Sequence, residues 1–284
     1  MNQFHVGRGA SRGPLTVFPI WAEDVHPIAY TIDATQARIG ERADGPAVGS
    51  LTISNLAGLP LLLLEGQLIE GGMQHRMVAR STLLAPKAEA PLDVVCVEQG
   101  RWNGAMGHAA KGRRASVRVR AGLRGEYRQA EVWRRVEGYA ANLGANATSS
   151  YVEHADRAES RLRAMVDGLR PFPGQVGVLI GIAGQPITAE VFDSPRMLAK
   201  HFDHIVHAAA IDALGQAPIE TPARRAIRFI NRAADVERTP VGPAGIGASV
   251  AGRTEYVDVS GIRWNDHELH MLLTNPRHEL VLAA

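Results

Sequence analysis

The chain has 284 residues, 45% of them apolar and 21% charged, a profile ordinary for a soluble globular protein. A net charge of +2 is too small to create a whole-molecule field toward nucleic acid or a membrane surface. With one cysteine, Cys96, neither an internal disulfide nor a zinc ribbon can form; there is no apolar run near the roughly 20 residues of a membrane span and no signal-peptide core, so a cytoplasmic protein is expected.

Residues 1–13 carry Gly7, Gly9 and Gly13 among Arg8 and Arg12 and read as a flexible tail; 14–284 reads as a single α+β domain or two closely packed lobes. Short apolar runs at 15–21, 49–54, 61–64, 77–84 and 92–97, separated by turn residues, predict a β-rich N-terminal half of sandwich or roll type. No helix-length periodicity appears before about residue 127. Helices are then expected over 125–139 and 151–169, stopped by Arg170-Pro171-Phe172-Pro173-Gly174. A hairpin follows (175–182 and 187–192), then a helix capped by Ser194 with Pro195 at its first position and ended by Gly215. Beyond a linker at 217–222 come a short basic segment, a Gly-rich loop at 241–250, and terminal strands at 254–259 and 268–273. The order lacks β-α-β alternation, so the fold class is α+β.

Two polar clusters interrupt the strands of the first half, EGGMQHR at 70–76 and EQGRW at 98–102. Gly71 and Gly72 fit either a plain hairpin turn or a place where backbone approaches a ligand closely. Gln74 and Arg76, on one strand face, would present an amide and a planar guanidinium suited to phosphate or carboxylate. Glu70 and Glu98 are the candidate acid–base carboxylates, and Glu98 equally suits a structural pair with Arg76 or Arg101. Trp102 suits packing better than base stacking, and Cys96 suits a small core filler better than a nucleophile.

The segment 111–135 carries nine basic side chains against two acidic ones, a net +7. Alternation through 116–120 would place Arg118 and Arg120 on one strand face; with Arg113 and Arg114 they could meet phosphate or nucleic acid. His201, His204 and His207 fan too widely around their helix to share one metal, and no HExxH is present. The 241–250 loop matches neither a dinucleotide fingerprint nor a P-loop, and no GxSxG elbow occurs.

LTVFPIW, LLLLEGQLIEGGMQHRMVARSTLLAP, VVCVEQGRW and QVGVLIGIAGQPITAEVF together resemble the ARG and rhodanese-phosphatase-superfamily-associated protein domain, over about residues 14 to 275. The most specific matches are GGxQxR (Gly71, Gly72, Gln74, Arg76) and CVExGRW (Cys96, Val97, Glu98, Gly100, Arg101, Trp102). That family is named for its neighbours, ADP-ribosylglycohydrolases and rhodanese-phosphatase-like proteins. The resemblance therefore implies a place in NAD or ADP-ribose metabolism and supplies no reaction.

The leading expectation is a site for an ADP-ribose-like or other phosphorylated nucleotide, with no metal and no cofactor. In it Arg76 and Arg101 meet phosphates, Gln74, Glu70 and the Gly71-Gly72 backbone read polar groups, Trp102 lines the site, and Glu98 orients an arginine or moves a proton. On this reading Arg76→Ala abolishes binding and leaves folding largely intact. One alternative is a non-catalytic β-rich interaction module, forming a homo-oligomer or holding a partner, whose polar clusters are internal networks. The other is nucleic-acid binding through 111–135.

Overall fold

A computed structural model describes residues 4–23 and 25–282. It is α+β and β-rich, as expected, and its contacts divide the chain into two compact units. One comprises residues up to 28, 160–243 and 247–283; the other is essentially 29–159.

The first unit is built on a nine-stranded sheet. Its order is Phe4–Val6, Leu15–Ala22, Gly177–Ile182, Gln185–Phe192, His267–Thr274, Asp258–Trp264, Gly247–Arg253 and Thr239–Ala244, with Ala10–Arg12 also paired to Leu15–Ala22. The expected hairpin is present, closed at Ala183 and Gly184, both at positive φ. The expected helix, Pro195–Ala213, is capped by the Ser194 hydroxyl, which accepts from the Met197 N–H. The short basic segment is a full helix, Ala223–Ala234, whose Ala226, Phe229, Ile230 and Ala233 enter a core with Phe18, Ile20, Leu179 and Val191.

In the second unit the strand-rich half closes as a six-stranded barrel, the roll-like alternative to a sandwich: Glu89–Cys96, Ser50–Asn55, Ala37–Gly40, Gly107–Ala109, Leu68–Gly71 and Arg76–Val78. Strand alternation sends Leu51, Ile53, Leu92, Val94, Ile39, Ile69 and Val78 into its core. The expected 77–84 strand is two strands, because Thr82–Leu84 leaves the barrel to pair with Leu61–Leu63.

Four expectations need correction. The expected tail carries two paired strands, Phe4–Val6 and Ala10–Arg12 (1–3 lie outside the described residues); the glycines between them pass over aromatic rings, and a Cβ on Gly7 would sit 2.7 Å from Trp21 and one on Gly9 2.6 Å from Phe18. Residues 116–120 are not a strand: Val117–Ala121 is a helix, because the Ser116 hydroxyl accepts from the Val119 N–H and caps it. The 241–250 loop belongs to paired strands that turn at Gly245, φ 68°. The strand placed at 254–259 begins at Asp258, since the Thr254 hydroxyl accepts from the Tyr256 and Val257 N–H groups and holds 254–257 in a turn. Among the described residues no helix is long and apolar enough to cross a membrane.

Candidate functional site

Strand parity carries several polar side chains into one end of the barrel. Arg76 has the parity of Val78, Cys96 that of Leu92 and Val94, and Glu41 that of Ile39; His108 is the register partner of Ile39. All four therefore point inward where the apolar core ends. Arg76 is 0% exposed, and the Glu41 and His108 side chains are likewise fully buried.

Their geometry is specific. Arg76 Nη1 donates to Gln74 Oε1 at 3.2 Å, and the Cys96 thiol donates to the same oxygen at 2.8 Å. Arg76 Nη2 lies 3.9 Å from Glu41 Oε1, which is also 3.0 Å from His108 Nε2. Burial is the largest effect on His108 and holds its pKa below the ordinary histidine value, against the pull of Glu41. A neutral ring facing a carboxylate must carry its proton on Nε2, which leaves Nδ1 a bare acceptor. Within this cluster four buried atoms have no hydrogen-bond partner among the described residues: Arg76 Nε and Nη2, Glu41 Oε2 and His108 Nδ1. The indole of Trp102, 46% exposed, lies over the Arg76 guanidinium at 5.5 Å. Gly72 is required here, because a Cβ at its φ of 58° would sit 2.0 Å from the His108 ring.

The other expected residues are held in internal networks around this mouth. Glu98 Oε2 accepts from the His75 N–H at 3.0 Å and from Arg101 Nε at 2.9 Å, while Oε1 accepts from the Thr148 hydroxyl at 2.8 Å. Burial pushes the Glu98 carboxyl upward, but Arg101, His75 and Thr148 outweigh it and the net direction is down. Arg101 also donates to the carbonyls of Gly72 (2.7 Å), Asn103 (2.8 Å) and Gly71 (3.4 Å), so its fork positions the hairpin and is not open toward a phosphate. Glu70 points out of the barrel to Arg113, at 2.9 and 2.7 Å, and to Lys111 at 3.2 Å; these partners overcome burial and keep it ionised. Both carboxylates are fixed counter-ions rather than proton donors. Cys96 is buried, which pushes its thiol up to about 11, far from a nucleophile's range.

The arginines of 113–120 do not form a basic row. Arg113 pairs with Glu70 and Asp156, and Arg114 is buried with Nη2 donating to the Glu65 carbonyl at 2.7 Å. Arg118 lies over the Tyr139 ring, and the buried stem of Arg120 fills the space that a side chain at Gly66 would need. Further along, Arg128 pairs with Asp93, and Arg134 and Arg135 with Glu131.

Of the expected residues, the structure thus brings Gln74, Arg76 and Trp102 together, with Gly71 and Gly72 beside them. Sequence reasoning passed over Glu41 and His108. Their signal was present only as parity with Ile39, in a strand too short to recognise.

Among comparisons with known proteins, the family model of the ARG and Rhodanese-Phosphatase-superfamily-associated Protein domain matches residues 3–274. The chain belongs to that family. Neither the curated proteins nor the solved structures provide a match.

Proposed function

From membership of that family and the chemistry of the barrel mouth, we propose that the protein binds a phosphorylated, ADP-ribose-like nucleotide in its barrel unit. The observation that carries this reading is the set of unpartnered buried atoms around Arg76. A buried donor left without a partner costs about 1–3 kcal/mol, more when charged, so such a group marks a place where a ligand or a water is received. Arg76 Nε and Nη2 call for an oxyanion; Glu41 Oε2 and His108 Nδ1 call for hydroxyl or amino protons. A phosphate joined to a sugar supplies both. Trp102, half-exposed above Arg76, offers the ring face on which a base stacks.

If the site does chemistry, Glu41 rather than Glu98 or Glu70 is the carboxylate in position to accept a proton, since it alone of the three keeps an unpartnered oxygen beside an arginine. The test is thermal unfolding with ADP-ribose, NAD and related nucleotides, for the wild type and Trp102→Ala. A ligand at 100 times its dissociation constant stabilises by about 2.7 kcal/mol, several degrees in a chain of this size. A shift with ADP-ribose that is lost in Trp102→Ala supports the reading; no shift with any nucleotide ends it.

A second reading, the interaction module with internal polar networks, is favoured by the closed pairings Glu98–Arg101 and Glu70–Arg113. It expects no nucleotide shift and a concentration-dependent assembly in light scattering.

A further inference from the structure

The sheet unit holds a cavity of about 500 Å³, within the range of about 300–1,000 Å³ usual for small-molecule sites. Four arginines line it. Arg225, Arg228 and Arg232 project from one face of the Ala223–Ala234 helix, spaced i, i+3 and i+7, while Arg277 comes from the segment after the last strand. One carboxylate, Glu279, shares the wall. The buried His278 adds no charge, because burial lowers its pKa below the ordinary histidine value.

The arginines are not accounted for as structural pairs. Arg225 donates to the Gly184 carbonyl at 2.5 Å, leaving its charge uncompensated. Arg277 reaches Glu255 at 2.8 Å, an ion pair whose two side chains are both more than half exposed and therefore weak. Arg228 has no hydrogen-bond or ion-pair partner among the described residues. Arg232 lies over the Tyr256 ring at 3.7 Å, and Arg277 over the same ring at 5.3 Å. Tyr256 therefore holds two guanidinium forks within one cavity despite their mutual repulsion. The wall between them includes Phe229, Pro186 and Ile182, apolar surface for the uncharged part of a ligand.

We propose that this cleft is a second ligand site, independent of the barrel mouth, and that it takes a small phosphate ester carrying two or more phosphates. Two guanidinium forks tethered to one ring suit adjacent phosphates, which present oxygens of the same planar spacing. A single inorganic anion would leave two arginines and the apolar wall unused, so the ester is the class that fits the whole cavity.

The experiment is calorimetric titration of the full chain with ADP, pyrophosphate and sulfate at about 150 mM salt, where exposed charges more than ~8 Å apart are largely screened. The wild type and Arg228→Ala are compared, with Trp102→Ala as the control for the barrel site. Arg228 is exposed and has no bonding partner among the described residues, so Arg228→Ala is expected to fold as the wild type does. The expected result is that ADP and pyrophosphate bind more tightly than sulfate, that Arg228→Ala weakens pyrophosphate by about tenfold or more, and that Trp102→Ala, which removes only the barrel's stacking ring, leaves pyrophosphate binding unchanged. ADP binding that survives Arg228→Ala and disappears in Trp102→Ala overturns the cleft while sparing the barrel reading. Absence of ADP binding, with an oligonucleotide or phosphatidylserine vesicles bound through Arg228 instead, overturns it in favour of a macromolecular phosphate. No binding of any kind overturns it outright.

Discussion

Arg76 is the side chain on which the barrel mouth depends, and its burial changes what its removal does. It stands 3.9 Å from Glu41 with both side chains fully buried, so Arg76→Ala leaves a buried carboxylate without its cation. Breaking a buried pair from one side costs about 3–5 kcal/mol, a large part of a domain's total stability. We therefore expect Arg76→Ala to unfold well before the wild type in urea, contrary to the sequence-based expectation that folding would survive. Glu41→Ala in the same background should recover part of the loss, because it removes the stranded charge. A midpoint for Arg76→Ala within error of the wild type would mean that the two groups do not interact. Replacement of Arg76 is thus a poor probe of binding, and Trp102, which makes no hydrogen bond in the network, is the better one.

At the scale of elements, the helix at Val117–Ala121 shows what one side chain decides. The Ser116 hydroxyl accepts from the Val119 N–H and bonds the Tyr139 hydroxyl at 2.6 Å, tying this helix to the turn that follows the Arg128–Glu137 helix. Ser116→Ala should cost about 1–2 kcal/mol, the sum of a lost cap and a buried Tyr139 hydroxyl left with one partner fewer. Tyr139→Phe measures the second contribution alone. Equal stability of Ser116→Ala and the wild type would place the helix on packing only. The same residues explain what was legible in the sequence. Ser194-Pro195 announces its helix because cap and first-turn residue are adjacent, and the hairpin at Ala183-Gly184 because two long apolar runs flank one turn. Val117-Arg118-Val119-Arg120 alternates like a strand and is a helix, since five residues hold too few turns for a helical period to register. The strands at 4–12 were hidden by glycines that read as punctuation but serve as gaps for the rings of Phe18 and Trp21. The site was legible where a motif stayed contiguous, as in Gln74 and Arg76, and illegible where it was assembled by barrel closure. Glu41 and His108 are 67 residues apart and meet only because Ala37–Gly40 and Gly107–Ala109 are neighbours in the barrel.

For the whole molecule, the shifts of four histidines share one direction and contribute to stability a pH dependence of definite sign. Burial is the largest effect at His75, His108, His154 and His278, and each is held below the ordinary value of 6.5. The unfolded chain binds protons at these positions before the folded one does, so stability rises with pH wherever the two differ. Their contribution is complete above about pH 7.5 and is lost as pH falls through 6.5 toward the folded values. The ceiling is about 1.4 kcal/mol per histidine per pH unit, lower at His75, whose side chain keeps contact with solvent. Glu70, Glu98 and Glu131 are also held below their ordinary value, so their share is retained through this window and lost only as pH falls below about 4.5. The unfolding temperature should consequently decline between pH 7.5 and 5.5 and drop again in the carboxylate range, in two separable steps. The first step reports on whether the barrel mouth is dry: imidazole resonances of His108 should titrate at a pH below the ordinary 6.5. A flat unfolding temperature from pH 7.5 to 5.5, with His108 titrating near 6.5, would mean that water reaches Glu41 and Arg76, and the unpartnered atoms there would then be ordinary hydrated groups rather than a place held for a ligand.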